Sequence, residues 1–482
     1  MKKMKKIFSV LFIGSFLYSC TNTDNMNTDP NSSYSTVPST LLSYAQKELS
    51  DFVNTPSVNE NNFRLTMQYW QETTYVEESN YDFVTRNVSN SVWIDCYVNV
   101  LNNLNQAKQI ISTYNPTASE APSWPVKKKN QIAIIDMQMV YTYQLLTDIF
   151  GDIPYSESLN LASNPLPVYD NDTSIYSNLI TRLSTDISNL DTSGGSFDSG
   201  DYYYSGNVSK WKKFGNTLLL KLGITIADIN PTLAQSTVNT AIGNGVFTSS
   251  ADDCKFNYLS SSPNYSPLFE NLVARNRNDF VAGKTIIDYM NSLSDPRRTM
   301  FFEPTSGTTY VGAIIGNPAS FSSNSHIGNF ANTETTPGVL LNYTETAFYL
   351  AEASARWTPS LATTNYNKAV ITSFIEWGLS LTDATTYLTS NPYNSVNWKQ
   401  SLGNQAWIAM YNQPITSWTF YRRLDYPQLI ASASSVAIAS GKIPVRLTYP
   451  VKETTTNPTN WATASSAIGG DNLTTKIFWD VN

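Results

Sequence analysis

The sequence predicts a mostly α-helical protein built from helical hairpins, with a loop-rich insert. Three observations carry this. Gln131–Phe150 is apolar on nearly every helical face, with Ile132, Ile135, Met139, Tyr143 and Leu146 on one stripe and Ile134, Met137, Tyr141 and Leu145 around it. A helix apolar all round is one that other elements surround. On both sides of the chain's middle, apolar residues recur at helical spacing in paired segments with short links. Between them, residues 246–340 lose that period and turn to Ser, Asn, Gly and Tyr, which reads as an irregular layer with a few short strands.

The first residues are MKKMKKIFSVLFIGSFLYSC. Lys2, Lys3, Lys5 and Lys6 form a positive n-region, and Ile7–Tyr18 is apolar but too short to span a bilayer. Residues 1–19 therefore read as a secretory signal. Leu17-Tyr18-Ser19-Cys20 is close to a bacterial lipobox, with Tyr18 bulkier than usual, so Cys20 is expected to carry lipid. Ordinary cleavage beside an incidental cysteine is the alternative. At about 0.8 kcal/mol per buried methylene, two or three acyl chains hold a protein firmly on a membrane. Residues 20–39 read as a polar tether, and 40–482 as one α-helical domain with its insert at about 246–340.

In that domain Leu41, Ala45, Leu49 and Phe52 make a first helical stripe, and Phe63, Met67 and Trp70 begin a second. Trp93, Tyr97, Val100, Leu104, Ala107, Ile111 and Tyr114 run at 3.6 spacing until Asn115-Pro116 ends them. The central segment is long enough to suggest a membrane span, but Asp136, Gln138, Gln144 and Asp148 interrupt it, so a buried helix is the better reading. Gly151 sits where a C-cap needs positive φ, and Pro154 holds Ile153 extended. Asp170–Ser174 offers helix-start residues to Ile175, Leu179, Leu183, Ile187 and Leu190. Its Asp-Asn-Asp run lacks the loop glycine and later Glu of an EF-hand, so capping is expected rather than calcium. After a Gly/Ser-rich loop, Trp211, Phe214, Leu218, Leu222 and Ile226 share one face. Lys284–Leu293 is the helical patch of the insert. Beyond it Ala347, Ala351 and Ala355 allow close approach to a partner helix bearing Tyr366, Ala369, Val370 and Phe374, and Trp398–Tyr411 supplies another helix.

Loss of the signal removes four lysines and no acids, taking the formal charge from −7 to −11. With no basic run beyond Lys127–Lys129, nucleic acid is not an expected partner. Charged residues make up 14% of the chain and aromatics 13%, led by 29 Tyr. Such a composition suits neutral, hydroxyl-rich ligands, and equally a secreted protein with no special ligand. His326 is the one histidine, and no G-x-S-x-G elbow, nucleotide-binding glycine motif or metal-ligand spacing accompanies it. A loop histidine is the simpler reading; no metal and no cofactor are expected. Cys96 and Cys254 read as two unpaired buried thiols.

Several blocks also match a known family. FGDIPYSES after the central helix, SDPRR at Ser294–Arg298, TETAFYLAEASAR, NQAWIAMYNQPITSWTFYRRLDYP and KIPVRLTYPVKETTTNP occur in this order. Together they resemble the SusD/RagB family of Bacteroidetes outer-membrane lipoproteins, in its SusD-like branch, from about residue 28 to 482. The resemblance implies tetratricopeptide-like hairpins and a surface-exposed binding protein, not an enzyme. It implies a nutrient, expected to be a glycan or oligosaccharide, delivered to a SusC-like TonB-dependent transporter. Rival readings are a lipid-anchored glycoside hydrolase, whose paired carboxylates roughly 5–10 Å apart are invisible in sequence, and a repeat scaffold for a peptide or protein. Arg422, Arg423 and Arg446 read as framework residues that pair with carboxylates such as Asp425 and Glu453.

The resemblance further implies that ligand is met by loops in two places, before the Trp93 helix and in the insert. Glu72–Val84 and Tyr258–Phe330 are the aromatic, polar segments there. A sugar ring offers an apolar face and a belt of hydroxyls, so it needs an aromatic face plus planar polar groups. Tyr75, Tyr81, Tyr265 and Tyr310 are the candidate stacking platforms, and Asn80, Arg275, Asn278 and Asn324 the candidate hydroxyl partners.

Overall fold

The computed structural model of the protein describes residues 37–482. The signal, Cys20 and most of the tether lie outside the described residues. The first helix, Pro38–Asn54, takes up the last two tether residues, with Pro38 at its start where a missing N–H costs nothing.

From there the helices stack on one another in chain order. Pro38–Asn54 packs on Asn102–Thr113, which packs on Trp124–Phe150, then Asp172–Asn189, then Val208–Thr225 with its partner Pro231–Asn244. The sequence passes through the insert and rejoins the stack: Tyr343–Trp357 meets Val208–Thr225 and pairs with Pro359–Glu376. Leu381–Ser390 and the pair Trp398–Ala409 and Pro414–Leu424 complete it. Paired antiparallel helices that bury their faces only against neighbours are the logic of a helical-repeat array. The mostly α, tetratricopeptide-like expectation is the fold observed.

Two local expectations differ. The stripe begun by Phe63 and Met67 stops after a single turn, Phe63–Thr66, because Trp70–Glu72 is a strand. The Trp93 helix begins earlier, at Val88, and its Ile94–Leu101 segment is wound wider, the Asn102 N–H reaching back to the Tyr97 carbonyl. That extra residue per turn leaves Ile94 and Val98 on the surface while Cys96, Val100 and Leu101 stay buried. Cys96 and Cys254 are both buried free thiols.

The Trp124–Phe150 helix is buried from Asn130 to Phe150, with only Ile132 partly open. Among the described residues no helix is long and apolar enough to cross a membrane. The four carbonyls at its C-terminal end have no intrahelical partner and must be satisfied elsewhere. Gly151, at φ +82°, turns its N–H back to the Thr147 carbonyl at 2.8 Å. The C-terminal part of the chain supplies the rest. Arg422 Nη1 donates to the Asp148 carbonyl at 2.7 Å, the Leu447 N–H to Ile149 at 3.0 Å, and Arg446 Nη2 to Phe150 at 3.0 Å. The Asp148 carboxylate accepts from Trp479 Nε1 at 2.9 Å and from Tyr176 Oη at 2.5 Å, and burial pushes it above its ordinary range.

The arginine pairs therefore differ from those expected. Arg423 is held by Glu352 at 2.6 Å and Arg446 by Asp471 at 2.7 Å; Arg422 lies between the rings of Trp418 and Trp479. Glu453 instead accepts from Tyr169 Oη at 2.7 Å. Their framework role stands. Arg297 of the Ser294–Arg298 block is likewise buried, bound to Asp295 at 2.6 Å and to Gln405 at 2.8 Å. The Asp170–Asp172 run does not cap its helix as expected: Asn171 at the N-cap makes no side-chain bond, Asp170 accepts from the Tyr155 and Ser156 N–H groups, and Asp152 from outside the run takes the Asp172 N–H at 2.9 Å.

Removing a buried charge's partner costs roughly 3–5 kcal/mol. Arg446→Met orphans the Phe150 carbonyl and leaves Asp471 without its cation. It is expected to lower the unfolding free energy in urea by about that amount; a loss under about 1 kcal/mol would show that the helix end is not held this way.

Candidate ligand-binding site

Strand Trp70–Glu72 pairs antiparallel with Phe280–Ala282 of the insert, Glu72 opposite Phe280. The pairing runs on into the loops: the Thr73 N–H reaches the Asp279 carbonyl at 2.9 Å and Thr73 Oγ1 the Asn278 carbonyl at 2.7 Å. It therefore binds together the two segments singled out in the sequence, 212 positions apart at Trp70↔Ala282 and 208 at Glu72↔Phe280. Between them opens a pocket of about 290 Å³. Phe280 and Leu272 line it from the insert, Tyr75 and Arg86 from the first loop, and Val58 and Asn59 from the turn after the first helix.

Tyr75 is the exposed aromatic here, with 69% of its surface open. Arg277 and Asp279 line the pocket as an exposed ion pair at 3.5 Å. Arg86 donates through Nε to Glu78, a carboxylate with no exposed surface. Glu72, at the pocket wall, accepts the Ser79 N–H at 2.9 Å and the Ser79 hydroxyl at 2.7 Å. Burial first, then the neighbouring Glu78 carboxyl, pushes Glu72 up to about 8. The mixture of an open aromatic ring, apolar floor and amide, hydroxyl and guanidinium groups can hold an amphipathic, hydroxyl-bearing ligand.

The remaining candidates distribute as follows. Tyr81 is fully buried, edge-on to Phe83 at 6.3 Å, so it offers no face to a ligand: the chain turns there through φ +69° and drives the ring into the core. Asn80 is buried too, and its amide is committed to the Val76 and Gly316 carbonyls, both at 2.9 Å. Gly316, at φ +80°, is required at that contact, since a Cβ would lie 2.4 Å from Asn80 Oδ1. Asn278 sits at the pocket's edge through its backbone. Tyr265 packs edge-on to Phe269 at 5.0 Å and Arg275 pairs with Glu270 at 3.3 Å, both outside the pocket lining. Tyr310 lies under the Arg298 guanidinium at 4.5 Å, and the Asn324 amide donates to the Ser320 carbonyl at 2.8 Å; neither reaches the pocket. His326 stacks on Phe321 at 3.9 Å in the insert, the loop histidine expected.

The lining residues missed are Arg86, Arg277 and the Pro56–Asn59 turn. Arg277 lay inside a segment already marked as aromatic and polar. The Pro-Ser-Val-Asn turn carried only a loop signal.

A family model described as starch-binding, associating with the outer membrane, matches residues 30–450. The chain belongs to the SusD-like family. Solved structures agree on the SusD-like fold. A chitin-binding protein is 27% identical with a TM-score of 0.80, covering 92% of this chain and 100% of that one. A SusD homolog from Bacteroides uniformis is 25% identical with a TM-score of 0.76, covering 92% and 99%. A chitin-binding SusD homolog from Flavobacterium johnsoniae, 23% identical with a TM-score of 0.76 over 92% and 99%, shares the fold. No curated protein matches the chain.

Tyr75 and Tyr81 should separate cleanly on mutation. Tyr75→Ala is expected to leave the melting temperature nearly unchanged, since its ring is open to solvent. Tyr81→Ala should cost roughly 3–5 kcal/mol, as truncation of a buried aromatic does. Differential scanning calorimetry of the two variants checks this; equal losses would refute the division of roles.

Proposed function

We propose that this SusD-like protein is a surface-exposed, lipid-anchored binding protein of the outer membrane. On this reading it captures a glycan in the pocket beneath Tyr75 and passes it to a SusC-like TonB-dependent transporter, catalysing no reaction itself. The observation that carries the reading is the pocket: the two loops marked in the sequence converge on it and present the open ring of Tyr75 beside planar polar groups. The family's description as starch-binding and the chitin-binding relative support a carbohydrate ligand. The wall's carboxyl groups are engaged structurally, Glu72 with Ser79 and Asp279 with Arg277, which supports binding over hydrolysis.

Cys20 is proposed as the lipid anchor. The tether from there to Pro38 keeps the domain within a few tens of Å of the membrane, and so at roughly mM effective concentration near a neighbouring barrel. A stack of helical hairpins offers the broad, stiff surface that a large protein contact needs.

Titration calorimetry with soluble oligomers of N-acetylglucosamine and of glucose tests the ligand class. One ring contact contributes about 1 kcal/mol, so Tyr75→Ala should weaken binding several-fold. Undiminished affinity in that variant would move the site elsewhere. The anchor and partner are read from detergent-solubilised outer membranes: the wild-type protein should co-purify with a TonB-dependent barrel, and Cys20→Ala should leave the membrane fraction when that barrel is deleted. Isolation without any barrel under gentle extraction, with unimpaired glycan uptake in a strain lacking this protein, would sink the delivery role.

A further inference from the structure

The loop that carries Tyr75 is closed on itself by two buried carboxyl groups. Glu72 begins it and Ser79 lies seven residues on; Glu72 Oε2 takes both the N–H and the hydroxyl of Ser79. Glu78 reaches Arg86, eight residues on, through Oε1. Glu72 keeps only 4% of its surface and Glu78 none. Glu78 Oε2 is buried without a hydrogen-bond donor, and the neighbouring Glu78 carboxyl is among the causes that raise Glu72. Among the described residues Arg86 is the one cation that pairs with either carboxyl, and it does so through Glu78. Across the pocket, on the segment leading to the Phe280 strand, Arg277 and Asp279 neutralise each other. Two carboxylates in one dry space with a single cation cannot both be ionised at low cost, and the cheaper arrangement is one shared proton.

We propose that Glu72 is a positioning residue that acts as a neutral acid, keeping its proton and donating it in a hydrogen bond to the unpartnered Glu78 Oε2, thereby locking the Tyr75 loop in its binding shape. The lock needs all four groups: Ser79 donates to Glu72, Glu72 donates to Glu78, and Glu78 holds Arg86, whose side chain forms part of the pocket wall. Loss of the proton puts two like charges side by side in a low-dielectric site and drives the loop apart. Glu72 is held up to about 8, so the lock is intact below that pH and opens above it. The functional consequence rests on the pocket being the glycan site; the lock itself does not.

Two readouts keep these apart. Hydrogen exchange of the loop amides in the full-length protein, corrected for intrinsic rates, needs no ligand. Protection across residues 73–87, at the Ser79 amide above all, should fall between pH 7 and pH 9 in the wild type. Glu72→Gln keeps a neutral side chain that accepts from Ser79 and donates to Glu78, so its loop should stay protected at both values. Wild-type protection that is constant over this range, or an equal loss in Glu72→Gln, overturns the proposal. Where the oligomer of N-acetylglucosamine or glucose binds, its affinity should drop about tenfold from pH 7 to pH 9 in the wild type, as one proton of pKa about 8 dictates, and less than twofold in Glu72→Gln. Exchange that behaves as described while neither sugar binds confirms the lock and refutes the glycan reading. A pH-dependent affinity shared by both proteins overturns the lock.

Discussion

The carbonyls at the end of the Trp124–Phe150 helix are the constraint on which the rest of the structure depends. That helix lies at the centre of the stack, so its final turn has no water to bond, and an unmet buried carbonyl carries the full desolvation cost. Each of the four finds a donor, and three of the donors belong to residues 422–447, nearly 300 positions away. The C-terminal segment is therefore structural. It caps the central helix and, through Trp479 and Tyr449, seals the Asp148 and Asp152 turn behind it. Residues 422–447 thereby return to the end of a helix laid down nearly 300 positions earlier and tie the last hairpins to the first ones.

This arrangement decides where binding chemistry can sit. The helical stack devotes its side chains to neighbour contacts, whereas the irregular insert is tied to it by short strand pairs, Trp70–Glu72 with Phe280–Ala282 and Cys254–Phe256 with Gly338–Leu341. Loops held by a rigid scaffold are the usual location of recognition. Here the Tyr75 loop is pinned from below by Asn80 on Gly316 and by the Val436 N–H on the Asn80 carbonyl, so its shape is set by the core beneath it.

The helices were legible because burial imposes a period, and Gly151 because a tight helix exit demands a residue that tolerates positive φ. Two of the family blocks carry these capping groups, Arg422 in one and Arg446 and Leu447 in the other. Trp70 was misread as helical since three residues are too few to display an alternating period, and its strand exists only through a partner 212 positions on. Tyr81 was misread for a related reason. It stands in a polar, aromatic segment like Tyr75, and only a single left-handed residue turns one ring inward and leaves the other out. Arg86 and Arg277 each pair locally, but they line one pocket only because the strand pairing of two distant segments brings them together, which no local pattern encodes.

The abundance of tyrosine has the same explanation. Among the described residues the exposed tyrosines are Tyr44, Tyr75, Tyr114 and Tyr202, and most other rings pack in or against the core. Tyr114 faces Trp124 and Tyr202 faces Phe256, which leaves Tyr75 as the open ring at the pocket. A composition that suits sugar stacking is, in this fold, chiefly a way of filling space between helices with side chains that also carry a hydrogen-bonding group. A pocket with one platform contributes about 1 kcal/mol from stacking, and so cannot hold a glycan tightly by that means alone.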